Sequence, residues 1–352
     1  MKIEHPEVLV IGLGAMGSAT VYQLAKLGVK VLGIDQYTPP HIHGSTHGET
    51  RITREAIGEG AQFAPLARRS HHLWREIEAQ TAQTLFTACG GLILAREGQR
   101  SQLHAQSDFL GNTIRAAEAF GISHQRLKAI EHGADLRCGE KVHRVANVDG
   151  KTIVETDRAR YAAGTTIVAA GPWMLQLLPT FAKKLTVRRQ VLYWFERTMP
   201  LDVACSYLPQ DFPVFIWHWG DGADDVFYGF PQIDASGAIK VATEQHVSST
   251  TPDVVERDVK EAEIANMYAT HISGKLRGVG PHSVKATTCL YTDTADANFI
   301  IGRLPNAQDT IVISACSGHG FKHSAAIGEA VAQMATAGGT PAMLQPFSVM
   351  PP

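Results

Sequence analysis

The sequence is short of patterned cysteine. Its 352 residues hold 5, namely Cys89, Cys138, Cys205, Cys289 and Cys316. They are odd in number, far apart and form no CxxC pair, which excludes a disulfide scaffold and a cysteine-built zinc site. An excess of either charge is also missing. Against 34 Asp and Glu stand 32 Lys and Arg, a net charge of −2, so nothing electrostatic favours nucleic acid as a partner. No apolar run reaches the length of a membrane span, and residues 1–6 lack the apolar core of a signal peptide. Internal repeats and low-complexity segments are absent too. What remains is 44% hydrophobic residues against 19% charged ones, enough to build a sizeable core. The length calls for about two domains. The expectation is a soluble, cytoplasmic, two-domain protein with no nucleic-acid and no membrane partner.

Glycine placement carries the first motif. Val8-Leu9-Val10-Ile11 is a continuous apolar run, as in a strand buried on both faces of a parallel sheet. Gly12-Leu13-Gly14-Ala15-Met16-Gly17 follows at once. A helical pattern with Ala19, Val21, Leu24, Ala25 and Leu27 then ends at Gly28, the residue type expected just past a helix C-terminus. Val29 to Ile34 reads as a second strand, and Asp35 closes it. This is a whole βαβ unit rather than an isolated G-x-G-x-x-G. Gly12 permits the tight turn, Gly14 lets the backbone approach a pyrophosphate, and Gly17 lets helix and strand pack closely. The helix N-terminus faces the phosphate charge. Asp35 stands where an acid binds adenosine ribose hydroxyls, which favours FAD or NAD over NADP. The bland alternative, a Rossmann-like turn without a ligand, must treat strand, glycines, helix and acid as coincidence.

A nicotinamide domain passes from its second strand into a helix. Here a long polar loop intervenes, from Pro39 to Arg54, and such loops usually carry function. His41, His43 and His47 invite a metal, but no Cys or paired acid completes a ligand set. A hydrogen-bonding loop without metal is expected.

With this loop the sequence resembles the monomeric sarcosine oxidase and N-methyltryptophan oxidase group of the D-amino-acid oxidase-like flavoproteins. The resemblance spans most of the chain. Its segments are GLGAMG (12–17), PPHIHGSTHGETRITREAIGEG (39–60), IVAAGPW (167–173), YGFP (228–231), CLYT (289–292) and SGHGFKHS (317–324). It implies an α/β fold: a Rossmann-like, glutathione-reductase-like FAD-binding domain interleaved with an α+β substrate domain on a mostly antiparallel sheet. It also implies bound FAD and oxidation of a small secondary amino acid such as sarcosine, iminodiacetate or another N-substituted glycine. Hydride would pass to flavin N5, the imine would hydrolyse, and O2 would be reduced to H2O2. The implied partners are a small amino acid and O2, with the protein a monomer or small homo-oligomer.

Residue by residue, the resemblance makes Arg54 and Lys322 the pair that holds the substrate carboxylate, one as a rigid fork and the other as a point charge. Cys289 matches the position where relatives form a thioether to the flavin; the alternative is an inert buried thiol. Tyr291 would turn its hydroxyl to the substrate. Lys240 matches the lysine that assists O2, whose reduction passes through an anion that a cation stabilises. From the residues alone, a strand lysine reads as a solvated face. His319 joins the catalytic set. Met16 joins Gly12, Gly14, Gly17 and Asp35 in the cofactor set, with Ser45, Thr46, His47, Arg51, Val145 and Gly171. Gly318, Gly320, Phe321 and Lys322 form a turn before the last helix, whose N-terminus would stabilise negative charge on the reduced flavin.

Three positions depart from the family pattern. Glu244 stands where sarcosine oxidase has a histidine, and Glu55 and Ile57 replace a histidine and a tyrosine. An acid at Glu244, counted here with the catalytic residues, alters the charge of the cavity and leaves the substrate open. The implied domains are 1–86, 122–184 and 295–352 for FAD, and 87–121 and 185–294 for substrate. The chain is short for the family at Gly121–Ile122. An omitted stretch is favoured there over a lost strand, because an internal sheet strand is hard to delete. Two alternatives keep the fold: an amine dehydrogenase with an acceptor other than O2, and a non-catalytic flavin-binding module.

Overall fold

The computed structural model describes residues 3–55, 57–94, 133–198, 206–220, 222, 224–232 and 236–349. The Gly121–Ile122 junction lies outside them. In chain order the elements begin with β1 (Ile3–Glu4), β2 (Val8–Ile11), α1 (Ala15–Lys26), β3 (Val31–Asp35), α2 (Ala64–Thr81) and β4 (Gly91–Leu94). They continue with β5 (Asp135–Cys138), β6 (Val142–Val148), β7 (Lys151–Thr156), β8 (Arg160–Ala162), β9 (Thr165–Val168) and α3 (Met174–Leu177). Next come β10 (Thr186–Arg197), β11 (Val214–His218), β12 (Val226–Gly229), β13 (Ile239–Ala242) and α4 (Glu261–Met267). The last are β14 (Val279–Asp293), β15 (Ile300–Leu304), β16 (Ala307–Ser314) and α5 (Ser324–Ala337).

One six-stranded sheet runs β15-β16-β9-β2-β3-β5. β2 pairs parallel with β3 and β9, β9 with β16 and β3 with β5, while β15 adds antiparallel to β16. Alternation along β2 explains its unbroken apolar run. Val8 and Val10 join a core with Leu24 of α1, Leu66 and Leu73 of α2 and Val331 of α5. Leu9 and Ile11 point the other way, into a second core with Val154, Tyr161, Met174 and Phe181. That second core lies under a four-stranded sheet, β1-β8-β7-β6. The sequence does not announce this sheet: β6 is mostly exposed or half-buried, so hydrophobic periodicity there is weak.

The other six-stranded sheet runs β14-β10-β13-β12-β11-β4. It is antiparallel except where β4 meets β11. Phe215 and Trp217 of β11, with Trp219 beyond it, pack into a third core with Phe195, Phe227 and Met267. The alternate face of β11, Ile216 and His218, turns to the central cavity. The same alternation on the long β14 sends Cys289 and Tyr291 to the cavity, while Leu290 is buried on the opposite side against Val187 and Val255. Among the described residues no helix is long and apolar enough to cross a membrane.

Candidate active site

The two six-stranded sheets wall a cavity of about 600 Å³, a size suited to a substantial ligand. One end is built from the βαβ unit. Gly12 has φ +90, and a Cβ there would lie 2.5 Å from the Ala169 carbonyl oxygen. A side chain is thus excluded both by conformation and by the neighbouring strand end. Gly17 is a packing residue, since its Cβ would fall 1.8 Å from the Gly12 carbonyl oxygen. Gly14 caps α1 with no side-chain hydrogen bond, so Leu13, Gly14, Ala15 and Met16 bring helix N-terminal backbone to the cavity. Asp35 is buried at the end of β3. Its Oδ2 accepts from the Leu13 N–H at 2.7 Å and its Oδ1 from the Tyr37 N–H at 2.8 Å. The Ala15 N–H donates to Thr46 Oγ1 at 3.1 Å, which ties the polar loop to the helix start.

At the other end the wall is made of charges. Glu59 is buried and its carboxylate is shared. Arg54 Nη2 donates to Oε2 at 2.8 Å and Lys322 Nζ to Oε1 at 2.8 Å. Lys322 also donates to the His319 carbonyl at 3.0 Å. Two cations thus meet one acid, leaving a net positive site suited to a carboxylate. Burial pulls the Lys322 ammonium down to about 8, while attraction to Glu59 resists. Glu244 faces the same space. Tyr291 donates its hydroxyl to Glu244 Oε1 at 3.3 Å, and the Tyr291 and Tyr228 hydroxyls lie 3.4 Å apart. Burial, then repulsion from Asp293 and Glu59, lifts the Glu244 carboxyl to about 8.

Between the ends, Lys240 of β13 reaches across to the polar loop. Its ammonium donates to the Gly48 carbonyl and to the Thr50 carbonyl and hydroxyl at 3.0 and 3.1 Å. It also lies 4.5 Å from the Phe230 ring centre and 5.3 Å from that of Trp194. Burial, reinforced by Arg51, drags it down to about 7. Arg51 donates to the Ser45 and Thr50 carbonyls, each at 2.8 Å, and lies over the Phe321 ring. The Cys289 thiol is buried on this wall, 3.8 Å from the Ser45 carbonyl oxygen, and burial holds it protonated above its ordinary range.

The fold thus gathers around one cavity nearly every residue singled out in the sequence: Gly12, Gly14, Met16, Asp35, Ser45, Thr46, Arg51, Arg54, Gly171, Lys240, Glu244, Cys289, Tyr291 and Gly318 to Lys322, His319 included. Three residues do not line it. Gly17 packs as described. His47 sits behind the wall, its Nε2 buried without a partner, and burial with the nearby Arg51 lowers it to about 4. Val145 packs into the second core instead; Val142, nearer the start of the same strand, is the one that reaches the cavity. Of the family departures, Glu244 faces the cavity, but Ile57 is core and Glu55 lies beneath α2, 3.4 Å from His71 Nδ1, pushed up to about 7 by burial. Glu59 and Tyr228 were in the matched segments without a role, and only the fold reveals their contacts.

FAD fits this cavity on three observations. Backbone of a helix start and a side-chain-free turn face it at one end, beside a buried acid. Four buried polar groups on or behind its wall, Ser45 Oγ, Trp173 Nε1, Thr292 Oγ1 and His47 Nε2, lack protein partners, and such groups ordinarily bond to something. Cations line the middle. Among the described residues no cluster of His, Cys, Asp and Glu could hold a metal ion.

The family model for FAD dependent oxidoreductases matches residues 7–131 and 123–334. Its two stretches overlap at 123–131, just past Gly121–Ile122. The chain is 31% identical to a monomeric sarcosine oxidase of Streptomyces avermitilis, over 95% of this chain and 94% of the relative. It is 30% identical to an N-methyl-L-tryptophan oxidase of Yersinia pestis, over 97% and 98%. A Bacillus monomeric sarcosine oxidase at 31% identity aligns over 393 positions and 99% of this chain, so that relative carries internal residues without counterparts here. Among solved structures, NikD, an unusual amino acid oxidase essential for nikkomycin biosynthesis, superposes with a TM-score of 0.79 at 20% identity, covering 98% of this chain and 97% of its own. An L-proline dehydrogenase from P. horikoshii gives 0.74 at 19%, with 98% and 97% covered. At these identities the superpositions show the fold.

Proposed function

This chain belongs to the FAD-dependent oxidoreductase family, in the group that includes monomeric sarcosine oxidase and N-methyltryptophan oxidase, and we propose that it is an oxidase of a small secondary amino acid. The observation that carries this is the Arg54–Glu59–Lys322 cluster at one end of a cavity whose other end is a dinucleotide turn. A net positive pair beside a neutral hydroxyl-lined space suits a substrate with one carboxylate and one amine. Sarcosine and other N-substituted glycines meet that description, and iminodiacetate meets it with one of its two carboxylates. Bound FAD supplies the two-electron oxidation and the route to O2.

The chain's own residues have these roles. Gly12, Gly14 and the α1 N-terminus hold the pyrophosphate and Asp35 the ribose. Arg54 and Lys322 hold the carboxylate, and Tyr291 orients the amine end. Lys240 supplies positive charge where O2 is reduced, fixed by its three oxygen acceptors. Cys289, on the wall facing Ser45, is the attachment point for FAD. Residues 1–86, 122–184 and 295–352 form the FAD-binding domain, with 87–121 and 185–294 the substrate domain. In support, β2, β3, β9 and β16 share one sheet while β4 joins β10 to β14 in the other.

Anaerobic mixing with a panel of secondary amino acids tests the activity: at least one should bleach the visible flavin band, with peroxide formed on admitting air. A panel that leaves the band intact refutes the oxidase, and bleaching without peroxide favours a dehydrogenase. Acid precipitation tests the tether: a yellow wild-type pellet and a colourless Cys289→Ser pellet are expected, and a colourless wild-type pellet refutes attachment.

A further inference from the structure

We propose that Glu244 accepts the ammonium proton of the bound amino acid, converting it in place to the free amine that is oxidised. This deepens the oxidase function proposed above and rests on it. A secondary amino acid arrives mostly as a zwitterion, and its ammonium nitrogen has no lone pair to drive oxidation. An N–H bond must break, leaving its electron pair on nitrogen and delivering the proton to a base.

Position singles out Glu244. It lines the cavity just beyond β13, near enough to Lys322 and Glu59 for both to act on its charge. Carboxylate and ammonium of an α-amino acid are one carbon apart, so anchoring the first places the second beside neighbouring acceptors. The other acids nearby are committed. Glu59 holds both Arg54 and Lys322, and Asp293 lies 3.2 Å from Arg188 and 3.7 Å from His246. Glu244 makes one hydrogen bond among the described residues, from the neutral Tyr291 hydroxyl. Gly318 keeps its flank open, because a Cβ there would come within 3.1 Å of Glu244 Oε1 and 3.0 Å of the Tyr291 ring.

Energetics agree with position. The groups that bear on Glu244 are Tyr228 and Tyr291 as hydroxyls, Asp293 and Glu59 as anions and Lys322 as a cation. With the carboxyl lifted to about 8, transfer from an alkylammonium near 10 is uphill by about two pH units instead of about six. The incoming positive charge itself favours the ionised carboxylate. After product leaves, the carboxyl returns its proton to water, which closes the balance.

The test is the pH dependence of anaerobic flavin reduction by an amino acid that reduces the wild type. The wild-type rate should rise through an inflection near 8. Glu244→Gln, which preserves shape and can still accept from Tyr291, should move the inflection to the substrate's own ammonium value and cut the neutral-pH rate by roughly 10²-fold. Glu244→Asp should keep the wild-type inflection at a lower rate. It carries the test alone if the Gln variant fails to hold FAD, since an inflection displaced to the substrate's value in Glu244→Asp overturns the role. Coincident wild-type and Gln profiles overturn it as well. A wild type that no secondary amino acid reduces overturns the oxidase function and this proposal together, so the two failures are distinguishable.

Discussion

The two ends of the cavity use different materials. At the Gly12–Gly17 end the wall is mostly backbone: a glycine turn, a helix start whose N-cap, Gly14, has no side chain, and one buried acid whose oxygens accept backbone N–H groups. At the Lys322 end it is side chains, brought from the 39–60 loop, the segment after β13, β14 and the turn before α5. The backbone end offers shape and dipole, excludes a Cβ at Gly12 and Gly17 and carries little net charge. The side-chain end concentrates Arg54, Lys322, Glu59 and Glu244, with Lys240 between the two ends, and burial pushes Lys240, Glu244 and Lys322 towards neutrality. A site assembled this way trades stability for reactivity.

Four substitutions sharpen that contrast. The largest effect is expected from Lys240→Met. Rapid-mixing kinetics should show flavin reoxidation by O2 slowed by about 10²–10³-fold, with reduction altered only a few-fold; equal losses in both half-reactions would break the assignment. Next, Lys322→Met should weaken binding of the amino acid by about 2–5 kcal/mol, read from the dependence of anaerobic reduction on substrate concentration. Unchanged saturation would remove Lys322 from the carboxylate site.

The backbone end should respond differently. Gly12→Ala has no charge to lose, yet strain at φ +90 and the clash with Ala169 should cost about 1–3 kcal/mol. The expected outcome is a purified protein with less flavin per chain and a lower Tm. Full flavin content and unchanged Tm would show the turn to be permissive. The smallest effect concerns stability. A carboxyl raised from 4.5 to about 8 means that the folded state prefers the protonated form, so stability falls as pH rises through that window. Glu244→Gln removes the loss. Its Tm should match wild type near pH 4 and exceed it by roughly 2 °C or more near pH 9. A constant offset would mean that Glu244 is solvated.

The same contrast explains what could be read from sequence. The backbone end depends on local order along the chain, strand, glycines, helix and acid within residues 8–35, and those determinants are adjacent. The side-chain end depends on contacts between distant segments. Lys240 on its own looks like any strand lysine, and only matching segments singled it out. Nothing local in Glu59 says that it bridges Arg54 to Lys322, because Lys322 approaches from the far end of the chain. Val145 shows the limit in the other direction: it lies on the right strand and both valines pack against the second core, but Val142, at the strand start before a register shift, is the one that reaches the cavity. The β1-β8-β7-β6 sheet is hard to see in the sequence because β6 is mostly exposed or half-buried and the buried positions of β7 include Thr152 and Thr156, which leaves little hydrophobic period.

Carboxylate recognition by Arg54 and Lys322 is measured by comparing a reactive secondary amino acid with its amino alcohol, identical except that CH2OH replaces the carboxylate. Anaerobic reduction should be saturable for the acid and slower by at least ~10²-fold for the alcohol at equal concentration, with the gap collapsing in Lys322→Met. Comparable reduction by both compounds in the wild type would mean that Arg54 and Lys322 do not hold a substrate carboxylate.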